Sequence, residues 1–393
     1  MASIPICFVI TGKGVDSVNR IMLAPDSFKG TMSSIKICKI IASAIKRHDP
    51  DAEIIEIPVA DGGEGTVECF LEAVGGRKVT VKTKGPYFRE MDSFYGILTD
   101  GKTAVIEMAA TAGLPLTGDV KNPALTTTYG VGQLIKAALD NGCTRVILGL
   151  GGSCTNDGGA GMAAALGIRF LDQNNNEFIP TGGNLDRISR IDLSGRLKDL
   201  DKCQIVAACD VDNPLCGING AAHVFGPQKG ADSEMVKLLD NNLLHLAKII
   251  KRDLGIDVLD LPGTGAAGGL GAGVIAFAGA ELKPGIEIVL DTVKFDEIIK
   301  DTSFVITGEG KVDGQSLRGK VVIGIARRAK AQAVPVIAIA GDIGDDIENI
   351  YSQGVTAVLS INRVAVPFEK ARLRCESDLE LTVDSLMRVL KIK

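Results

Sequence analysis

The 393-residue sequence predicts an α/β protein built on parallel strands. Three observations carry this prediction. Short runs of Val, Ile, Leu and Ala alternate with helical stretches, the pattern of strand–helix layering. The runs are near-continuously apolar, as strands buried on both faces are. Glycine, 47 of 393 residues against an average share of about 7%, gathers with acidic residues at the ends of those runs.

The elements follow in order. A strand is expected at Ile21–Ala24 and a helix over Ser33–Arg47; Glu53–Val59 and Glu64–Val74 repeat the unit. Lys78–Thr99 departs from the scheme and reads as consecutive strands with a turn at Lys84-Gly85-Pro86, because Gly-Pro interrupts a ladder. Alternation resumes with strands at Ala104–Met108 and Arg145–Leu150 and helices at Gly132–Asn141 and Gly159–Leu166. Phe170–Arg196 is loop-rich. Strands are then expected at Gln204–Cys209, Ser303–Thr307, Val334–Ala340 and Ala357–Ile361. The remaining helices are Ser233–Asp253, Gly268–Ala278, Lys320–Ala331 and Phe368–Leu390. A discontinuous arrangement fits: 21–75 and 285–393 form one Rossmann- or flavodoxin-like parallel unit, and 76–284 is an inserted α/β domain.

Composition excludes several classes. With 46% hydrophobic residues the chain can bury a full core, and its length suits two domains. It carries 43 basic against 48 acidic residues, a formal charge of −5, which argues against phosphate-tracking nucleic-acid binders. Aromatics are 4% with no Trp, which disfavours base-stacking platforms. The nine cysteines are dispersed without a CxxC pair, as reduced thiols of a cytoplasmic protein are. The first residues, MASIPICFVITGKG, lack a basic region and make a poor signal peptide. Pro262–Ala280 is uncharged but interrupted by seven glycines, so no membrane span is expected.

Ligands of open α/β sheets bind beyond the carboxyl ends of the strands, where helix N-termini present N–H groups to anions. Six segments stand there. The first, Ala24-Pro25-Asp26-Ser27-Phe28-Lys29-Gly30-Thr31, sets Asp26, Ser27 and Lys29 at a helix entrance, for a phosphate or a carboxylate; a β–α turn with a capping hydroxyl looks the same. Ala60-Asp61-Gly62-Gly63-Glu64-Gly65-Thr66 holds two acids three apart, for a cation or a helix cap. The richest segment runs from Gly149 to Gly161 through Gly151, Gly152, Ser153, Thr155, Asn156 and Asp157. Its glycines let a backbone approach a ligand, yet it is neither GxxxxGKS/T nor a clean GxGxxG.

The fourth segment is Cys209-Asp210-Val211-Asp212-Asn213-Pro214, followed by Phe225-Gly226-Pro227-Gln228-Lys229-Gly230-Ala231. Asp210 and Asp212 face opposite ways on extended chain, so one job for both is not expected. The fifth, Gly263–Gly273 with Gly265, Gly268 and Gly269, suits either a phosphate cradle of backbone amides or a tightly packed small-residue helix. The sixth, Thr307-Gly308-Glu309-Gly310-Lys311-Val312-Asp313-Gly314-Gln315-Ser316 with Lys320, offers Glu309 and Asp313 as metal ligands. Together the six favour a polyanion and a divalent cation, and Mg²⁺ calls for carboxylates rather than His or Cys. The histidines His48, His223 and His245 have no metal spacing, and no GxSxG occurs.

The ordered strings APDSFKG, PVADGGEGT, GGSCTNDGGAG, CDVDNPLCG with FGPQKGA, GTGAAGGLGAG and ITGEGKVDGQSLRGK closely resemble the bacterial glycerate kinases of glyoxylate and aldarate breakdown. The likeness runs from about Ile21 to the C-terminus. It implies ATP-dependent, Mg²⁺-requiring phosphorylation of D-glycerate, two unequal α/β domains with the active site in the cleft between them, and 2-phosphoglycerate as the favoured product. Residues 1–20 precede the family's usual start; Cys154 stands where Ala is more usual, and Lys311, Val312 and Gly314 vary a loop that often reads GRIDSQS.

Under that reading Asp210, closing an apolar strand, is the expected base, and Lys29 and Lys229 neutralise anions. Asp61, Glu309 and Asp313 are expected at Mg²⁺. Asp26, Ser27, Gly151, Gly152, Ser153, Thr155, Asn156, Asp157, Gln228, Gly265, Gly268, Gly269, Gln315 and Lys320 are expected to bind glycerate or ATP. Two rivals are a nicotinamide-dependent oxidoreductase, which would need GxGxxG where APDSFKG stands, and a non-catalytic sugar-acid binding protein, which would need few cation ligands.

Overall fold

A computed structural model describes residues 20–60, 62–314 and 321–391. Two large sheets organise it. The first has five parallel strands in the order Val355–Ser360, Val336–Ile343, Phe304–Val312, Arg20–Pro25, Glu53–Glu56. Its strands come from the two ends of the chain. The order reverses at Arg20–Pro25, which pairs with the much later Phe304–Val312 on one side and Glu53–Glu56 on the other. This is the flavodoxin-like arrangement, and it puts a ligand crevice at the carboxyl ends of those central strands.

The period of two along the first strand explains how one short run holds two helical layers. Ile21 and Leu23 face one way and pack with Ile37, Ile41 and Ile45 of the Ser34–His48 helix and Leu379 and Val383 of the Cys375–Leu390 helix. Met22 and Ala24 face the other way, toward Val322, Ile325 and Ala329 of the Val321–Ala331 helix. Ser33 caps the first helix, its hydroxyl accepting from the Lys36 amide at 3.3 Å.

The second sheet has six strands in the order Glu281–Lys283, Gln204–Ala208, Arg145–Gly149, Thr103–Glu107, Glu90–Leu98, Gly76–Lys84. The first four are parallel and the last two antiparallel. The expected turn at Lys84-Gly85-Pro86 joins the antiparallel pair. The loop-rich 170–196 stretch contributes a small antiparallel sheet, with strands Arg169–Leu171, Glu177–Phe178 and Arg190–Asp192.

The two sheets share an apolar layer. Val105, Ile147 and Val206 of the six-stranded sheet lie in the same core as Met22, Ala24 and Val305 of the five-stranded one. Between them stand the Thr66–Val74 and Gly285–Thr292 helices. A side chain at Gly324 would come within 2.8 Å of Ile286, so the helices carrying these residues meet closely. Arg328 fastens the same contact by pairing with Glu287, Asp291 and Asp296 at 2.5–3.1 Å.

Several boundaries differ from expectation; the strand expected at Glu53–Val59, for one, ends at Glu56. Phe304–Val312 runs past Thr307, because Gly308 and Glu309 keep pairing with Ile339 and Ala340. The expected helix 368–390 is two: Phe368–Ala371 and Cys375–Leu390, separated at Leu373, which is 81% exposed and off the buried face. Among the described residues no helix is long and apolar enough to cross a membrane.

Candidate active site

The carboxyl ends of both sheets open into one cleft of about 910 Å³. One wall is Ser27–Ser33, which follows the first strand, and Gly63–Gly65, which precedes the Thr66–Val74 helix. The facing wall is Leu150–Ser153 and Ala208–Val211, which follow two parallel strands of the second sheet, with Phe225, Gln228, Lys229, Ala266 and Ala267. Its apolar surface comes from Phe28, Met32, Leu114, Leu150, Val211 and Phe225. Such a cleft, apolar with a few convergent polar groups, is the usual form of a small-molecule site.

The cleft floor is backbone on backbone. The Gly151 amide donates to the Gly62 carbonyl at 2.9 Å, and a Cβ on Gly149 would lie 2.3 Å from that same oxygen. Glycine at 149 therefore brings the two loops together from different sheets.

Lys229 is the cation of the cleft wall. It is 2% exposed and its Nζ donates to Ser153 Oγ at 2.6 Å and to the Thr155 carbonyl at 2.7 Å. Both are neutral oxygens. Burial pushes its pKa down to about 8, offset by the neighbouring Cys154 and Asp157. A buried ammonium whose hydrogen-bond acceptors are both neutral, and which lines a cleft, is arranged to meet an anion.

Asp210 lines the opposite part of that wall. Its Oδ1 accepts from the Gly285 amide at 2.8 Å, so the carboxylate also closes the N-terminus of the Gly285–Thr292 helix. Nearby, Ala267, Gly268 and Gly269 have φ of 54°, 68° and 88°. Ala267 is a non-glycine residue in the left-handed region and lines the cleft, a local strain that the surrounding packing holds.

The sequence pattern of the glycerate kinase family matches residues 21–391, which includes every loop of this cleft. The chain belongs to the glycerate kinase family. It is 49% identical over 343 residues to glycerate 2-kinase of Escherichia coli K12, covering 87% of this chain and 90% of that one. It is 47% identical over 364 residues to glycerate kinase of Halalkalibacterium halodurans, covering 92% and 96%. A crystal structure from Salmonella typhimurium LT2, assigned as glycerate kinase 2, matches with a TM-score of 0.85 at 44% identity, covering 95% and 99%. The activity is phosphoryl transfer to glycerate, and the expected α/β class holds.

In this glycerate kinase the cleft gathers Ser27, Lys29, Gly151, Gly152, Ser153, Asp210, Gln228 and Lys229. Asp26 lies just beneath, 7% exposed, its amide bonded to the Gly308 carbonyl across the strand pair. Asp61, Gln315 and Lys320 fall outside the described residues. Glu309 is buried inside the Phe304–Val312 strand, and Asp313 stands 4.0 Å from Lys311 beside Gly344; neither is among the residues lining the cleft. Among the described residues no three His, Cys, Asp or Glu side chains group as a metal site.

Six expected binding residues of the glycerate kinase have other surroundings. Asp157 is fully buried and accepts from the Thr128 amide and hydroxyl and from the Gly159 and Gly161 amides at 2.7–3.3 Å. It ties two helix starts together, with burial pushing its carboxyl up. Thr155 and Asn156 are also fully buried; Asn156 has no hydrogen-bond partner for either amide atom. Gly268 is glycine because of protein, not ligand: a Cβ there would sit 1.9 Å from the Thr155 carbonyl. Gly268→Ala is accordingly expected to cost about 2–4 kcal/mol through overpacking and a left-handed side chain. Urea denaturation measures it, and an unchanged midpoint would show that the two loops part freely. Gly265 and Gly269 likewise abut Pro214 and Gly158.

Glu107 lies outside all six glycine-rich segments. It closes the apolar strand Thr103–Glu107, is 2% exposed, and takes the Val67 amide at 2.6 Å. An acid ending an apolar strand is the signal that marked Asp210, and it applied here as well.

Proposed function

We propose that this chain transfers the terminal phosphoryl of ATP to D-glycerate with Mg²⁺, giving 2-phosphoglycerate, in the cytoplasm. Lys229 carries the reading: a buried ammonium hydrogen-bonded only to neutral oxygens in the cleft of a glycerate kinase is a fixed positive charge for a carboxylate or phosphate. The 49% identity to a protein named glycerate 2-kinase supports the regiochemistry. Segments 21–75 with 285–393 and 76–284 are proposed as the two domains, meeting at this cleft.

The donor set suits Mg²⁺. Glu64 and Asp210 are the acids among the residues that line the cleft, and this ion keeps waters and phosphate oxygens as ligands, so it needs few protein carboxylates. Glu64 and Asp210 would hold it, directly or through water, with Asp61 of the same segment as Glu64; Glu309 and Asp313, which do not line the cleft, could act only through intervening waters. When bound, Mg²⁺ screens the charge of the β- and γ-phosphate oxygens.

This chain's own residues do the rest. Lys29 and Lys229 hold the anionic groups, and the backbone at Gly151 and Gly152 approaches the phosphates. Phe225, Leu114 and Leu150 exclude water from one wall. Asp210 takes the hydroxyl proton of glycerate as its oxygen bonds to phosphorus and ADP departs. Phosphorus NMR of the product from ATP and D-glycerate tests the assignment: the resonance of 2-phosphoglycerate is expected, and 3-phosphoglycerate would overturn the regiochemistry.

A further inference from the structure

We propose that Glu107 is a positioning residue for phosphoryl transfer: its ionised carboxylate fixes the Gly63–Gly65 wall of the cleft by holding the Val67 amide in the first turn of the next helix. The proposal rests on this cleft being where the kinase works.

The Thr66–Val74 helix starts without a cap of its own. Its N-cap, Gly65, sits at φ 90° and offers no side chain. Ser, Thr, Asp or Asn normally fills that place. Here the acceptor comes from the other sheet. Glu107 Oε1 takes the Val67 amide, in the first turn of the helix, at 2.6 Å. On its own strand Glu107 is level with Gly149, whose backbone presses on Gly62. The loop that lines the cleft is thus held at both ends against the six-stranded sheet, by Gly62 against Gly149 and by Val67 on Glu107. Glu107 itself is 2% exposed and is not among the residues lining the cleft, so its influence on substrate passes through this loop.

The charges around it are few. Burial raises the carboxyl to about 7; the helix amides and Lys78 of the Gly76–Lys84 strand pull it down, and Glu68 pushes it up. Cys69 of the helix is pushed up to about 12 by burial and is a neutral thiol, with Asp26 beyond it. Glu64, on the loop, is exposed in the cleft. The neighbouring strand presents only Gly149 at this level.

The sign follows. Above about pH 7 the carboxylate accepts the Val67 amide strongly; below it the protonated group accepts it weakly and the wall loosens. Stability runs the other way. The folded state binds this proton more tightly than the unfolded chain, so the stability contributed by Glu107 rises as pH falls from about 7. Activity lost at low pH through Glu107 is therefore not unfolding.

Glu107→Gln keeps the shape and one acceptor and mimics the protonated form. The ratio of variant to parent kcat/KM, taken from pH 5.5 to 8.5, cancels titrations common to both. It should be near one at the acid end and fall by about tenfold at the alkaline end, with no loss of thermal midpoint. A ratio that stays constant with pH, at any level, overturns the proposal. A second reading does not depend on catalysis: the Val67 amide nitrogen resonance should titrate with a midpoint near pH 7 in the parent and not in Glu107→Gln. A flat resonance in the parent overturns the proposal even if the enzyme is active. Failure of the parent to phosphorylate D-glycerate would instead end the kinase reading.

Discussion

Asp210→Asn is expected to fold like the parent, bind ATP, and lose roughly 10²–10⁴ in kcat, the scale of a removed general base. The structure makes this substitution clean. Asp210 Oδ1 already accepts the Gly285 amide, and the amide oxygen of Asn can take that same bond. The start of the Gly285–Thr292 helix is then kept, along with the contact of its Ile286 with Gly324. Only the charge and the ability to accept a proton go. Steady-state turnover at saturating substrates, with circular dichroism as the folding control, measures it. Near-normal turnover would leave Asp210 as a helix cap and nothing more.

Lys229→Met should reduce kcat/KM by roughly 10²–10³, the usual cost of a lost preorganised electrostatic contact. The fold should survive, since replacing a buried charge by an apolar side chain of similar volume is often neutral or stabilising. Two acceptors, Ser153 Oγ and the Thr155 carbonyl, then lose their donor and offset part of that gain. The parent adds a pH signature. Lys229 titrates at about 8, so the ammonium that meets an anion is present below that pH and lost above it. The KM of the substrate it faces should rise above pH 8, by up to about tenfold per pH unit, because binding then requires taking up a proton. In Lys229→Met this alkaline rise should vanish. An alkaline limb that persists in the variant would place the titration elsewhere.

Much of this architecture is legible in the chain because its strands are apolar on both faces. Ile21–Ala24 and Arg145–Leu150 needed no context to be read. Phe304–Val312 was read short because Gly308 and Gly310 resemble a stop; a strand tolerates them where its neighbour supplies the ladder, as Ile339 and Ala340 do. The cleft loops were legible for a different reason. Lys29, Asp210 and Lys229 are charges beside glycines at strand ends, and that chemistry is local.

What sequence could not separate is a glycine that meets a ligand from one that meets its own protein. Gly152 lines the cleft, whereas Gly268 abuts the Thr155 carbonyl; both lie in glycine-rich stretches. Nor does the string Thr155-Asn156-Asp157 announce that all three are fully buried, because burial belongs to the assembled core. Asp157 looked like a ligand for the same reason that it makes a good internal brace: a carboxylate satisfies several amides at once.

The apolar layer shared by the two sheets bears on how such a chain can be divided or recombined. The 76–284 segment is proposed as an inserted domain, but among the described residues the face formed by Val105, Ile147 and Val206 is covered by helices and strands from outside it. Excised alone it would carry an uncovered oily face, and its host would lose the partner of the helix bearing Ile286 and Glu287. Grafting the insert between relatives would mean transferring the Thr66–Val74 and Gly285–Thr292 helices with it, together with Arg328 and its three acidic partners. The heritable unit is the pair of sheets, not either one.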